Sequence, residues 1–360
     1  MKRRQFLTSA AIGGAATALA TPALAQSATE MNIVSTWPRD FPGLGTSAQR
    51  LAARIEALTE GRIAVNYFAA GERVGAFDSF DEVASGNSQA YIGADYYWKG
   101  KHAGWSPFTA IPMGLTYTEI DAWMKFGGGQ ELYEKLGDEF GVIGFPAGNT
   151  GVQMGGWFNK EIESADDLRG LKMRIPGLGG DVIAKLGGSP VSVPGGQIYE
   201  NLVSGAIDAT EWVGPWNDFF LKLYEAAQYY YWPGFHEPGS QLCLGMNKSW
   251  WSGLSSIDQE IIKVACAEEN AVSMAEANAN NGVYLNRLIN EYGVELREFN
   301  DDVYEAFGSA SAEVIEEARD HSPLAAEIFD SHLNARASVG AWSNLSDAPY
   351  VTKRNRILDI

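Results

Sequence analysis

Between Asn32 and Asn247, short apolar segments alternate with segments whose apolar residues recur at helical spacing. That alternation confines the chain to the α/β class, because such strands and helices bury their apolar faces by layering on one another. Ile33-Val34 reads as a strand, Leu51, Ile55 and Leu58 as a helical stripe ending at Gly61, and Ile63 to Tyr67 as the next strand. Asp78 to Val83 predicts a short helix, Ala90 to Ile92 a strand, Ile120 to Met124 and Leu132 to Leu136 helices, and Val142 to Phe145 a strand. In a second series, strands at Leu171 to Ile175, Pro190 to Val193 and Ala209 to Val213 alternate with helices over Asp181 to Leu186, Ile198 to Val203 and Phe219 to Tyr224. A sustained helical pattern then runs from Ile257 to Ile289, long enough to act as a spine. Val303, Phe307, Val314 and Ala318 form one stripe, and Ser322-Pro323 starts a helix running toward Trp342. The pattern divides the chain into a first lobe over 26–150 and a second, inserted lobe over 151–237. Residues 238–300 return to the first lobe and supply a long bridging helix, and 301–360 form a helical C-terminal tail.

Compartment is read from the first 25 residues. Lys2, Arg3 and Arg4 precede Phe6-Leu7 and an Ala/Gly-rich stretch, and Ala23-Leu24-Ala25 offers a small-x-small cleavage pattern before Gln26. This is an export signal of twin-arginine type, predicting a periplasmic protein. Its apolar part falls short of the roughly 20 residues of a spanning helix. Removing it takes away Lys2, Arg3 and Arg4 and moves the formal charge from −18 to −21. So acidic a surface argues against nucleic acid and anionic lipid as partners, and an anionic solute would need a local cationic trap. Cys243 and Cys266 are the only cysteines; an oxidising compartment permits a bridge, but Cys266 also suits a buried helical position. The four histidines, His102, His236, His321 and His332, show no zinc-type spacing.

Five segments carry candidate binding chemistry. In Gly170-Leu171-Lys172-Met173-Arg174, alternation places Arg174 opposite the apolar face and at the strand end, where α/β sheets bind ligands. Its planar fork suits a carboxylate, although a surface salt bridge would use the same residue. Glu211 follows the short β-type run Ile207 to Thr210 and precedes Trp212 and a Gly-Pro turn; ligand or cation contact competes with a solvated edge glutamate. Gln153 lies between Gly151 and Gly155, free to offer an oxygen to a cation and an NH₂ group to an anion. The clusters Tyr96-Tyr97-Trp98, Tyr229 to Trp232 and Trp250-Trp251 would, on strands, point alternate rings into core and cleft. Glu237 sits in the rigid turn Pro233 to Gly239.

The runs Gly148 to Phe158, Gly170 to Arg174 and Ile207 to Pro215, with Tyr229-Tyr230-Tyr231-Trp232-Pro233-Gly234, resemble the solute-binding subunits of tripartite ATP-independent periplasmic (TRAP) transporters, and most nearly their α-keto acid-binding branch. The resemblance spans nearly the whole mature chain, is tightest from 146 to 237 and weakens beyond Asn300. It implies two lobes about a central cleft, a bridging helix, no catalytic residues, and delivery to a sodium-driven membrane permease. Carried onto this sequence, it implies that Arg174 clamps the solute carboxylate and that Gln153 touches both solute and metal. Glu211, the Trp212 carbonyl and Glu237 would hold the metal, and Tyr97 with Tyr96 would touch the solute. It also implies dimers joined through exchanged C-terminal helices.

A 2-oxo or 2-hydroxy acid chelates a hard cation through neighbouring oxygens. Glu211, Glu237, Arg174 and a monoanion together carry two negative charges, which sodium halves and calcium cancels; the resemblance favours Na+ over Ca2+. The resemblance makes pyruvate-like 2-oxo acids the expected solutes, with lactate and calcium, or a sugar acid or dicarboxylate without metal, as alternatives. A secreted glycoside hydrolase using Glu211 is a further reading, against which no Gly-x-Ser-x-Gly or His-Glu-x-x-His motif is present. On this reading Arg174→Ala abolishes binding and leaves the fold intact.

Overall fold

The structure, a computed structural model, describes residues 28–360; the expected export signal over 1–25 lies outside the described residues. The strands are β1 Thr29–Ser35, β2 Ile63–Phe68, β3 Ala90–Gly93, β4 Val142–Asn149, β5 Gly156–Phe158, β6 Lys172–Arg174, β7 Ser189–Val191, β8 Ala209–Thr210, β9 Tyr229–Trp232, β10 Gln241–Asn247 and β11 Glu295–Glu298. The helices are α1 Leu44–Leu58, α2 Ser79–Ala84, α3 Tyr117–Phe126, α4 Gly129–Phe140, α5 Gly177–Lys185, α6 Ile198–Val203, α7 Pro215–Phe220, α8 Lys248–Ser252, α9 Ser256–Asn290, α10 Asp301–Arg319, α11 Pro323–Ser343 and α12 Asp347–Leu358.

Two sheets result. The first has the order β2-β1-β3-β10-β4, with β1 parallel to β2 and β3 and with β10 antiparallel to both its neighbours. The second has the order β11-β9-β5-β8-β6-β7. The chain passes from the first sheet to the second between β4 and β5, and back between β9 and β10. It then returns through α9, whose 35 residues run along β4 and α1 of the first lobe and α7 of the second. Ser255 caps α9 by accepting from the Asp258 amide, and β11 follows. Here the expectation needs correction: Glu295–Glu298 was assigned to the first lobe but pairs in parallel with β9 in the second sheet. Three of its residues are half-buried, Glu298 is exposed, and no apolar alternation betrays them.

The C-terminal helices divide between the lobes. Asn300 caps α10, which packs on α5, and Lys185 of α5 meets Glu313 and Glu317. Ser322 caps α11, with Pro323 opening its first turn; α11 packs on α3 and α4, where Trp123 Nε1 donates to Ser331 Oγ at 3.0 Å. By contrast, α12 has no buried residue. Cys243 and Cys266 are both free and buried, so the small-hydrophobe reading holds and the bridge does not form. The aromatic clusters are not all strands. Asp95–Trp98 is a 3₁₀ turn and Trp250-Trp251 lie in α8, so only Tyr229–Trp232 is a strand, and its Tyr230 and Tyr231 enter two core layers rather than core and cleft. There Tyr230 stacks on Trp157 and Tyr231 stacks on Phe299.

Candidate functional site

Strands β6 and β8 lie side by side, with Arg174 opposite Thr210, so Arg174 and Glu211 emerge together at two neighbouring strand ends. The Glu211 amide donates to the Arg174 carbonyl at 3.2 Å. The Arg174 Nη1 group donates to Glu211 Oε1, in a buried ion pair, and to the Glu211 carbonyl at 3.2 Å. Nε donates to the Val193 carbonyl at 3.1 Å, and the guanidinium lies 5.3 Å from the Trp212 ring centroid. Only Nη2 has no partner, although the side chain is 1 % exposed. Burial works to lower the Arg174 pKa, but Glu211, Tyr97, Tyr96 and Glu237 together outweigh it and the group is held above its usual value. The surface-salt-bridge reading of Arg174 is thereby set aside.

The two segments that cross between the lobes are stitched together. The Gln153 amide donates to the Glu237 carbonyl at 3.1 Å, and the Gly234 amide to the Gln153 carbonyl at 3.0 Å. The left-handed conformation of Gly151 (φ 70°) turns the chain into this crossing. Gln153 Nε2 donates to Glu237 Oε2 at 2.7 Å and lies 3.2 Å from Thr150 Oγ1 and 3.3 Å from Ser240 Oγ. Glu237 Oε2 also accepts from the Ser240 hydroxyl. That leaves Gln153 Oε1 and Glu237 Oε1 buried without a partner. Burial, then the charge of Glu211, pushes the Glu237 carboxyl up to about 7.

Arg174, Gln153, Trp212, Glu237, Tyr96 and Tyr97 all line one cavity of about 20 Å³. Tyr96 and Tyr97 come from the first-lobe 3₁₀ turn, with rings edge-to-face at 4.9 Å. Burial raises the Tyr97 phenol to about 12, so it remains a hydrogen-bond donor at neutral pH. A Cβ on Gly195 would collide with the Trp212 ring, so glycine there lets the indole lie flat behind Arg174. Glu211 stands one layer deeper: Arg174 takes Oε1 and His236 Nε2 meets Oε2 at 3.2 Å. His236 itself was not anticipated, because no histidine of the chain has zinc-type spacing in sequence. In space, Glu211, His236 and Glu237 each bring a ligand atom within 4.8 Å of the others. Thr150 and Ser240 were also missed; neither hydroxyl stands out from the many in the chain.

The donor set fits a hard cation. Two carboxylates and a neutral amide oxygen are the groups such an ion takes, and two of those oxygens lack any partner. Buried polar atoms are almost always paired, so an unpartnered guanidinium nitrogen beside unpartnered oxygens calls for an anion and a cation together. Two α/β lobes closing on such a site make a receptor for a small charged solute.

Residues 33–321 match the model of the bacterial extracellular solute-binding proteins, family 7, and the chain belongs to that family, the DctP-type solute-binding proteins of TRAP transporters. The monocarboxylate 2-oxoacid-binding periplasmic protein of Nostoc sp. (strain PCC 7120) is 38% identical over 358 residues, covering 97% of this chain and 98% of the relative. A TRAP periplasmic solute-binding protein from Colwellia psychrerythraea, solved with bound calcium and pyruvate, is 38% identical with a TM-score of 0.87, over 91% of this chain and 99% of that one. Another, from Pseudoalteromonas atlantica T6c with bound sodium and pyruvate, is 37% identical with a TM-score of 0.87, over 90% and 99%. The chain is thus a periplasmic transport receptor and not an enzyme, which disposes of the hydrolase reading. Among the described residues, no helix is long and apolar enough to cross a membrane.

Proposed function

We propose that the protein captures a short 2-oxo monocarboxylate of the pyruvate type, together with a metal cation, and delivers it to a sodium-driven TRAP permease. One observation carries this reading: Arg174 Nη2, Gln153 Oε1 and Glu237 Oε1 are buried without partners around one cavity. Arg174 clamps the solute carboxylate through Nη2 while Nη1 and Nε stay anchored on Glu211 and Val193. Gln153, Glu211, the Trp212 carbonyl and Glu237 hold the cation, and Tyr97 and Tyr96 contact the solute from the opposite lobe. The bound cation offsets the two glutamates and accepts the chelating oxygens of the solute. Sodium is the first choice and calcium the alternative; the two pyruvate-bound relatives carry one each. Crowding by the rings of Tyr96, Tyr97 and Trp212 around the cavity supports a short acid over a sugar acid, whose many hydroxyls would need further polar partners.

Calorimetry with pyruvate tests the reading in buffer containing sodium, containing calcium, and depleted of both. Binding that requires one of the cations is expected; equal affinity in all three buffers overturns metal assistance. For the C-terminal tail, α12 supports pairing with a second copy, because it buries nothing and leaves Tyr350, Ile357 and Leu358 exposed. Light scattering should give a dimer mass for the mature chain and a monomer mass for a chain ending at Asn344; a monomer in both cases rules the pairing out.

A further inference from the structure

Glu211 and Trp212 lie beyond the end of β8 at Thr210, where the Glu211 amide makes one last bond to the Arg174 carbonyl of β6. What holds the next two residues is Asp218, on α7 and 1 % exposed. Its Oδ1 accepts from the amides of Val213, at 3.0 Å, and Gly214, at 3.1 Å. Its Oδ2 accepts from Trp157 Nε1 at 2.9 Å and from the Tyr230 hydroxyl at 2.7 Å. Trp157 and Tyr230 face each other in register on β5 and β9, with rings stacked at 4.0 Å. One carboxylate therefore ties the floor of the second sheet to the backbone beside the site. From the other side, the Val213 carbonyl accepts from the Met154 amide at 3.1 Å, linking the same backbone to the residue after Gln153.

We infer that Asp218 is a positioning residue for the site, holding the Glu211–Val213 backbone where Glu211 and the Trp212 carbonyl reach the cation. The inference rests on the metal-assisted reading above. Four donors converge on Asp218, and an ionised carboxylate, which only accepts, satisfies all four; an amide of the same shape presents NH₂ to two of them. A buried charge is expensive and apolar packing would hold a helix to a sheet more cheaply, so the carboxylate is explained by the geometry it imposes on its donors. Asp218 makes its side-chain hydrogen bonds to neither Glu211 nor Trp212, and the effect passes through the backbone at Val213 and Gly214.

The test is Asp218→Asn in the full mature protein, with calcium chloride titrated at fixed pyruvate and pyruvate titrated at saturating calcium. Half-saturating calcium should rise about tenfold, the loss expected when charge-assisted hydrogen bonds fail. Pyruvate affinity at saturating calcium should then return to within about threefold of wild type, because mass action on the metal compensates for a displaced ligand. In the metal-free variant, amide exchange at Val213 and Gly214 should speed up by about tenfold relative to β10 amides. A lesion of general stability would instead weaken pyruvate binding at every calcium concentration. Should Asp218→Asn not fold, Tyr230→Phe removes one donor and keeps the stacked ring, with half-saturating calcium expected to rise about two- to fivefold. Calcium dependence unchanged in the folded variant, or pyruvate affinity that excess calcium does not restore, overturns the positioning role alone. Pyruvate binding by wild type without any cation overturns both this role and the reading beneath it.

Discussion

Replacing Arg174 by lysine keeps the positive charge that buried Glu211 needs and removes the planar fork. The arginine has three tasks at once: Nε on the Val193 carbonyl, Nη1 on Glu211, and Nη2 free for the solute. A single ammonium group cannot stand in both the second and third positions, and beside Glu211 it will be drawn to the carboxylate. The variant therefore loses a charge-assisted contact to the solute, worth about 1.5–3 kcal/mol, or roughly 10- to 150-fold in Kd. Calorimetry with pyruvate in sodium- or calcium-containing buffer reads this directly, with thermal unfolding as the control for folding. Arg174→Ala is a poorer probe than the sequence suggested. It strands Glu211 in the interior without its ion-pair partner, costing about 3–5 kcal/mol of stability, so lost binding would be mixed with lost stability. Pyruvate binding by Arg174→Lys within threefold of wild type, with unchanged thermal stability, would refute the clamp.

At the mouth of the cleft, Lys99 of the first lobe pairs with Asp181 on α5 of the second, beside a hollow of about 280 Å³ that shares Tyr96 and Tyr97 with the site. Asp181→Lys should raise the pyruvate off-rate about two- to fivefold, as suits a half-exposed pair, and adding Lys99→Asp should restore it; stopped-flow fluorescence in which the reversed pair fails to restore it refutes a role for this ion pair in holding the lobes closed. His332, buried against Trp123 and with burial and then Arg336 lowering its pKa to about 3, makes stability fall as pH drops. The unfolded chain takes up that proton near its ordinary value of about 6.5 while the folded chain does not, so stability is lost from about pH 6.5 downward. His332→Phe should flatten the acid side of a melting-temperature profile between pH 7 and 4; an unchanged slope contradicts this. Burial raises Asp95 to about 7, which has the opposite sign: its protonated form stabilises below the ordinary carboxyl range, and that contribution is lost as pH rises through 7.

Much of the site was legible because its residues end secondary elements that leave periodic traces. Leu171, Met173 and Ile175 mark one face of β6, and Arg174 is thereby placed on the other, at the strand end. What the sequence could not show is that Glu211 would be its partner, since that follows from β6 and β8 being neighbours in the sheet. Strands β5 and β8 have three and two residues, too few for a period to be read. Tyr96 and Tyr97 were placed in the cleft on a strand argument, yet a 3₁₀ turn delivers them. Asp218 leaves no signal in the sequence because its four donors come from three separate stretches of chain. His236 meets Glu211 across 25 residues of sequence, a contact visible only after the Pro233–Gly239 turn is folded.

Diffraction from crystals grown with pyruvate and calcium chloride bears most closely on the paired trapping of anion and cation. The expected map has the pyruvate carboxylate against Arg174 Nη2 and one metal held by Gln153, Glu211, the Trp212 carbonyl and Glu237. Pyruvate lying outside the interlobe cavity, or inside it with no cation and with Arg174 turned away, would contradict that expectation.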